Sequence, residues 1–178
     1  LTNHPRRVYH VSEASGIERF TPRESSDGIE RVWCVSDARL HNYLLPRDCP
    51  RVTFYAAETT SEADARRFLP DRDAEAVVAI EQRWLDRVVN TRLRLYVFDA
   101  TPFELQDPIA GYYVTRQAVE PLMELAVDDP LGVLLARNVE FRVLASLERL
   151  RAAVIGSTLG FSVIRWHNAQ AAETRAEQ

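Results

Sequence analysis

Hydrophobic and polar positions alternate along much of this chain, and only short stretches follow the 3.6-residue spacing of a helix. Arg7 to Ser12 alternates, with Val8, Tyr9 and Val11 favouring extended backbone, and predicts a first strand that Ser15-Gly16 ends. Ile17 to Phe20 reads as a short connector, and Glu24 to Gly28 as a turn-rich loop. Arg31 to Val35 is a second strand. Ser36 or Asp37 can then cap a helix over Ala38 to Leu45, because a side-chain oxygen there accepts the free amides of a first turn; Pro46 stops it. Arg51 to Ala56 is a third strand, in which Val52, Phe54 and Ala56 alternate with Thr53 and Tyr55.

Thr60 to Phe68 takes helical spacing, whereas Glu75 to Glu81 is too continuously apolar for edge structure and reads as a central strand. Gln82 to Val89 is helical again. Arg92 to Asp99 alternates, with Leu93, Leu95 and Val97 on one face and Arg94, Tyr96 and Phe98 on the other. Phe103 to Leu105 and Tyr112 to Thr115 are β-type runs. Asp128-Asp129-Pro130 opens a helix over Leu131 to Arg137, a carboxylate cap standing before a proline in the first turn. Val139 to Leu144 is a last strand, and Leu147 to Asn168 reads as mostly helical, bent or divided at Gly156 and Gly160. The polar tail 171–178 is expected to fray. Residues 1–170 therefore read as a single α+β domain, with a mixed, mostly antiparallel sheet and helices gathered against it toward the end of the chain.

Composition narrows the function. The 178 residues suit one core without disulfide or metal staples. Net charge is −4 and every basic residue is arginine, a balance ill suited to nonspecific nucleic-acid binding, which wants a basic face. No apolar run approaches the roughly 20 residues that span a bilayer, and LTNHPRR has no apolar signal segment, so the cytoplasm is the expected compartment. Cys34, His41 and Cys49 match no familiar zinc spacing and have no fourth ligand, so no metal is expected; Cys34 suits a small buried hydrophobe.

No glycine-rich phosphate loop, H-E-x-x-H or G-x-S-x-G occurs. What remains is a constellation of His10, Ser12, Tyr43, Arg47, Arg51, Tyr112, Tyr113, Arg116 and Glu120. His10 and Ser12 share one face of the first strand, opposite Tyr9, and either grip a ligand or simply bond the backbone. Arg47 and Arg51 flank Asp48-Cys49-Pro50; two guanidinium groups there bind a phosphate, or one of them pairs with Asp48. Tyr43 stacks on a planar ring or anchors the core. Glu120, before Pro121, orients a sugar hydroxyl and stabilises developing positive charge, or is a solvated surface acid; Glu13 and Glu124 are weaker alternatives.

The runs YHVSE (9–13), VWCVSD (32–37), YLLPRDCPRVTFY (43–55) and AGYYVTRQAVEPL (110–122) resemble a bacterial family of unknown function. More distantly, the opening Tyr-His-x-Ser and the strand-helix unit after it resemble the ADP-ribosyltransferase fold. That resemblance implies NAD as substrate. His10 with Ser12 would hold the ribose, Tyr43 would stack on nicotinamide, Arg47 or Arg51 would meet the pyrophosphate, and Glu120 would assist bond cleavage. A noncatalytic nucleotide-binding module is the alternative if the acid is lost, and a structural or interaction domain is a third. A related branch that removes a 2′-phosphate from RNA uses a histidine with several arginines, which Arg7, His10, Arg47 and Arg51 would supply.

Overall fold

A computed structural model describes residues 5–25, 27–70 and 73–170; the tail expected to fray lies outside them. In chain order the strands are β1 (Arg7–Ser12), β2 (Arg23–Glu24), β3 (Glu30–Val35), β4 (Arg51–Tyr55), β5 (Ala76–Glu81), β6 (Leu93–Asp99), β7 (Glu104–Asp107), β8 (Tyr112–Thr115), β9 (Met123–Val127), β10 (Val139–Leu144) and β11 (Gly160–Ile164). The α-helices are α1 (Glu62–Phe68), α2 (Leu85–Asn90), α3 (Pro130–Ala136) and α4 (Glu148–Ile155). The fold is α+β with mostly antiparallel sheets, as the alternation along the chain predicts. The chain forms two compact units: Leu1–Arg47 with Thr91–Pro130, and Asp48–Asn90 with Leu131–Gln178.

The first unit is built on a sheet of order β7-β8-β3-β1-β6-β9, with β2 added to β3, and every pairing in it is antiparallel. One face carries Val8, Val32, Cys34, Tyr96, Phe98 and Tyr113, packed with Phe103 and covered in part by Ile17, Phe20 and Val119. Directly paired residues share a face, so Val8↔Phe98 and Cys34↔Tyr113 build this cluster straight from register.

In the second unit β5 is central, paired parallel with β10 and antiparallel with β4, and β11 closes the other edge. All six residues of β5 are buried, the outcome its unbroken apolar run requires of a strand covered on both faces. Val52 and Phe54 of β4 and Val77 and Ala79 of β5 present one face to Phe68 and Leu69 at the end of α1 and to Leu147 and Val154 around α4. Burying one such side chain contributes about 1.5–3 kcal/mol. The Ser61 hydroxyl caps α1 by accepting from the Asp64 amide at 3.2 Å.

Two expectations fail locally. The span 147–168 is not mostly helical: α4 ends at Ile155, and Gly160–Ile164 forms β11 against β4. Phe161, Val163 and Ile164 are good strand formers, and the ladder to β4 decides their conformation. Helices therefore do not close the chain alone. Second, the helix over 38–45 is a 3-10 turn at Asp37–Asn42; the Ser36 side chain makes no cap, and its amide instead donates to the Gly111 carbonyl at 2.8 Å. The stretch before Asp128, to which the sequence pattern assigns no element, forms β9; Met, Glu, Leu and Ala are all strong helix formers, and pairing with β6 decides their conformation.

Candidate functional site

β1 lies between β3 and β6, and its two ladders differ. Toward β6 the register is complete, from Arg7↔Asp99 to Ser12↔Arg94. Toward β3, Tyr9↔Val35 is the only registered pair among the described residues. Beyond it the His10 imidazole takes over, its Nδ1 lying 2.8 Å from the Trp33 carbonyl oxygen. A carbonyl only accepts, so Nδ1 carries the proton and Nε2 is the basic nitrogen. The ring also lies edge-on to Phe20, centroids 5.0 Å apart. Burial holds the imidazole below its usual protonation range. The bond to Trp33 opposes that shift, while the positive charges of Arg47 and Arg23 add to it.

The β6 register extends His10 into a row. His10 pairs with Tyr96, and Tyr96 pairs with Glu124 on β9, so the three side chains share one face of adjacent strands. Tyr96 is fully buried. Its hydroxyl donates to the Ala14 carbonyl at 2.9 Å and accepts from the Ile17 amide at 3.2 Å. Desolvation raises the Tyr96 phenol, and the neighbouring Glu124 raises it further. Glu124 accepts from the Gly16 amide at 2.8 Å and faces the Arg94 guanidinium at 3.5 Å. Phe20 packs against Tyr96 as well as His10. The result is an imidazole, a phenol and a carboxylate in line beneath a loop that runs from Glu13 to Phe20.

The other expected site residues are distributed differently. Ser12 follows His10 on β1, and its hydroxyl accepts from the Ala14 amide at 3.0 Å. Arg47 is exposed, and its backbone amide donates to the Glu13 carboxylate at 3.0 Å. Tyr43 meets Tyr112: their hydroxyls are hydrogen-bonded, and Tyr112 lies edge-on to Trp33 with centroids 5.5 Å apart. Val35 pairs with both Tyr9 and Tyr112, which puts this aromatic group on the face opposite His10. Tyr43 and His10 are thus not brought together, whereas Tyr113 lies on the His10 side and is buried. Glu120 is 71% exposed and faces Arg19 at 3.7 Å, next to the bridge that joins Phe20 to Val119. Arg116 is exposed. Arg51 belongs to the second unit, where it is 2% exposed on β4. Asp48, also in that unit, lies 4.0 Å from Arg87.

Sequence reasoning missed Tyr96 as a site residue and ranked Glu124 low. The signal for Tyr96 was its polar hydroxyl on the alternating face that also carries Arg94 and Phe98. Nothing in the one-dimensional pattern pairs it with His10. Among the described residues no group of three or more His, Cys, Asp or Glu could hold a metal ion, and no helix is long and apolar enough to cross a membrane.

Fold and site together define an α+β protein with mostly antiparallel sheets and a polar row that runs across β1, β6 and β9. The chain belongs to a family of unknown function (DUF6886), which matches residues 9–169. No curated protein and no solved structure matches it.

Proposed function

We propose that the first unit binds NAD or a closely related nucleotide on the face that carries His10. The observation behind this reading is the in-register row His10–Tyr96–Glu124, with two arginine charges near enough to influence the imidazole. His10, its Nδ1 fixed by the Trp33 carbonyl, would present Nε2 to a ribose hydroxyl, with Ser12 beside it. Arg47 and Arg23 would meet the phosphates through charge-assisted hydrogen bonds. Tyr43, Glu120 and Arg51 have no part in this arrangement. Two buried thiols that form no disulfide accord with a reducing compartment such as the cytoplasm.

A second reading, ADP-ribosyl transfer, is favoured by one observation: a carboxylate, Glu124, stands in the row with His10. It would stabilise positive charge on the ribose as the bond to nicotinamide breaks; the acceptor would supply the new bond and lose a proton. Calorimetry with NAD on the intact chain tests the first reading. Micromolar to millimolar binding that weakens at least tenfold in His10→Ala supports it, and no heat with either protein refutes it. Nicotinamide release tests the second. Release that persists in Glu120→Gln and collapses in Glu124→Gln assigns the acid, whereas binding without release leaves a binding module.

A further inference from the structure

The Glu13–Phe20 loop crosses the face on which the proposed ligand would sit, and its attachments are unusual. Among the described residues its first backbone–backbone hydrogen bonds occur only at Phe20, with Val119. Side chains instead hold Glu13 to Ile17 among the described residues. The Ala14 amide is bound by Ser12, the Ala14 carbonyl and the Ile17 amide by the Tyr96 hydroxyl, and the Gly16 amide by Glu124; the Glu13 carboxylate takes the Arg47 amide. Residues 13–16 are exposed, while Ile17 and Phe20 rest on the apolar face. Gly16 has a φ of +71° with nothing within 4 Å of where a Cβ would stand, so no packing against a neighbour fixes the backbone there.

We infer that this loop is a strap that opens as a unit, hinged between Ser12 and Phe20 and latched by Tyr96 and Glu124. Two facts support this. A segment held by side-chain bonds at its exposed part opens at lower free energy than the ladder beside it, since no strand need unpair. The latch also consists of the two row residues next to His10, so a ligand that engages Glu124 competes with the Gly16 amide for the same carboxylate. Opening the strap and exposing the row are then one event. The second point rests on the nucleotide reading; the first does not.

Amide hydrogen exchange on the full chain tests the strap. Wild type is compared with Tyr96→Phe, which keeps the ring that packs on Phe20, and with Glu124→Ala. The Ile17 amide should exchange about tenfold faster in Tyr96→Phe and the Gly16 amide similarly faster in Glu124→Ala, the scale of one lost hydrogen bond. The β1 and β6 amides should keep their wild-type rates in Tyr96→Phe. Unchanged strap rates in both variants would overturn the inference, and so would strap and ladder rates that rise together in Tyr96→Phe. Saturating NAD is added in a separate arm. If calorimetry shows no NAD binding while the strap amides still respond to the substitutions, the nucleotide reading fails and the strap stands. If NAD binds yet leaves strap exchange as it was, the competition for Glu124 is wrong.

Discussion

Gly111 gives the sharpest test of how the first unit holds its shape. It precedes β8 with a φ of +67°, and its carbonyl accepts the Ser36 amide at 2.8 Å. A Cβ there would stand 2.5 Å from Ser36 Oγ, 2.7 Å from Arg39 Cγ and 3.0 Å from Arg39 Cβ. Arg39 has little room to retreat, because its Nε donates to the Ile109 carbonyl at 3.1 Å and the Ile109 amide is itself bound by Asp107. Gly111→Ala therefore combines a left-handed backbone cost of about 1–2 kcal/mol with an overpacking cost of about 1–3 kcal/mol. Gly16→Ala is the matched control: its φ is +71°, and its Cβ would meet nothing within 4 Å, so only the backbone cost remains. Urea unfolding, followed by circular dichroism and tryptophan fluorescence, should show Gly111→Ala less stable than Gly16→Ala by at least about 1 kcal/mol. Equal losses in the two variants would refute the steric argument and leave backbone conformation as the whole effect.

Other predictions follow from particular burials. Because the folded chain lowers the His10 imidazole, the unfolded chain binds the extra proton; stability should be full above about pH 6.5 and decline as pH falls below it, a slope that His10→Gln removes in urea titrations at pH 7.5 and 5.5. Glu81 is fully buried, accepting from Arg83 at 2.9 Å and from the Gln170 amide at 2.8 Å, so Glu81→Ala should cost about 1–3 kcal/mol and speed exchange of the Gln170 amide. Burial pushes the Cys49 thiol up to about 11 and the Cys34 thiol higher still, so iodoacetamide at pH 7.5 should modify neither in the folded chain and both in urea, as read by mass.

Much of the architecture is legible in the sequence because strand alternation and turn chemistry are local signals. The unbroken apolar run of β5 announced a central strand, and Asp-Asp-Pro marked the start of α3. Where propensity and tertiary context disagree, reading failed. Gly160–Ile164, read as part of a helix, becomes β11 because β4 offers a ladder. Arg51 illustrates the same limit at the level of function. Its neighbours in sequence suggested a phosphate ligand or a partner for Asp48, but at the start of β4 Arg51 is only 2% exposed. The placement of His10 on a strand, facing away from Tyr9, was legible because it is local. That Tyr96 and Glu124 stand beside it depends on pairings between segments more than a hundred residues apart at the extremes, which no local pattern encodes.

If His10 and its row hold a nucleotide, the ligand must perturb the imidazole, and nitrogen NMR of the histidine side chains reads that perturbation. The chain labelled at its imidazole nitrogens is titrated with NAD at a pH where His10 is neutral. The His10 Nε2 resonance should shift saturably, with the Nδ1 proton still held by the Trp33 carbonyl, and His167 should show no comparable change. A His10 resonance that stays fixed while NAD is raised to millimolar concentration would contradict a nucleotide site there.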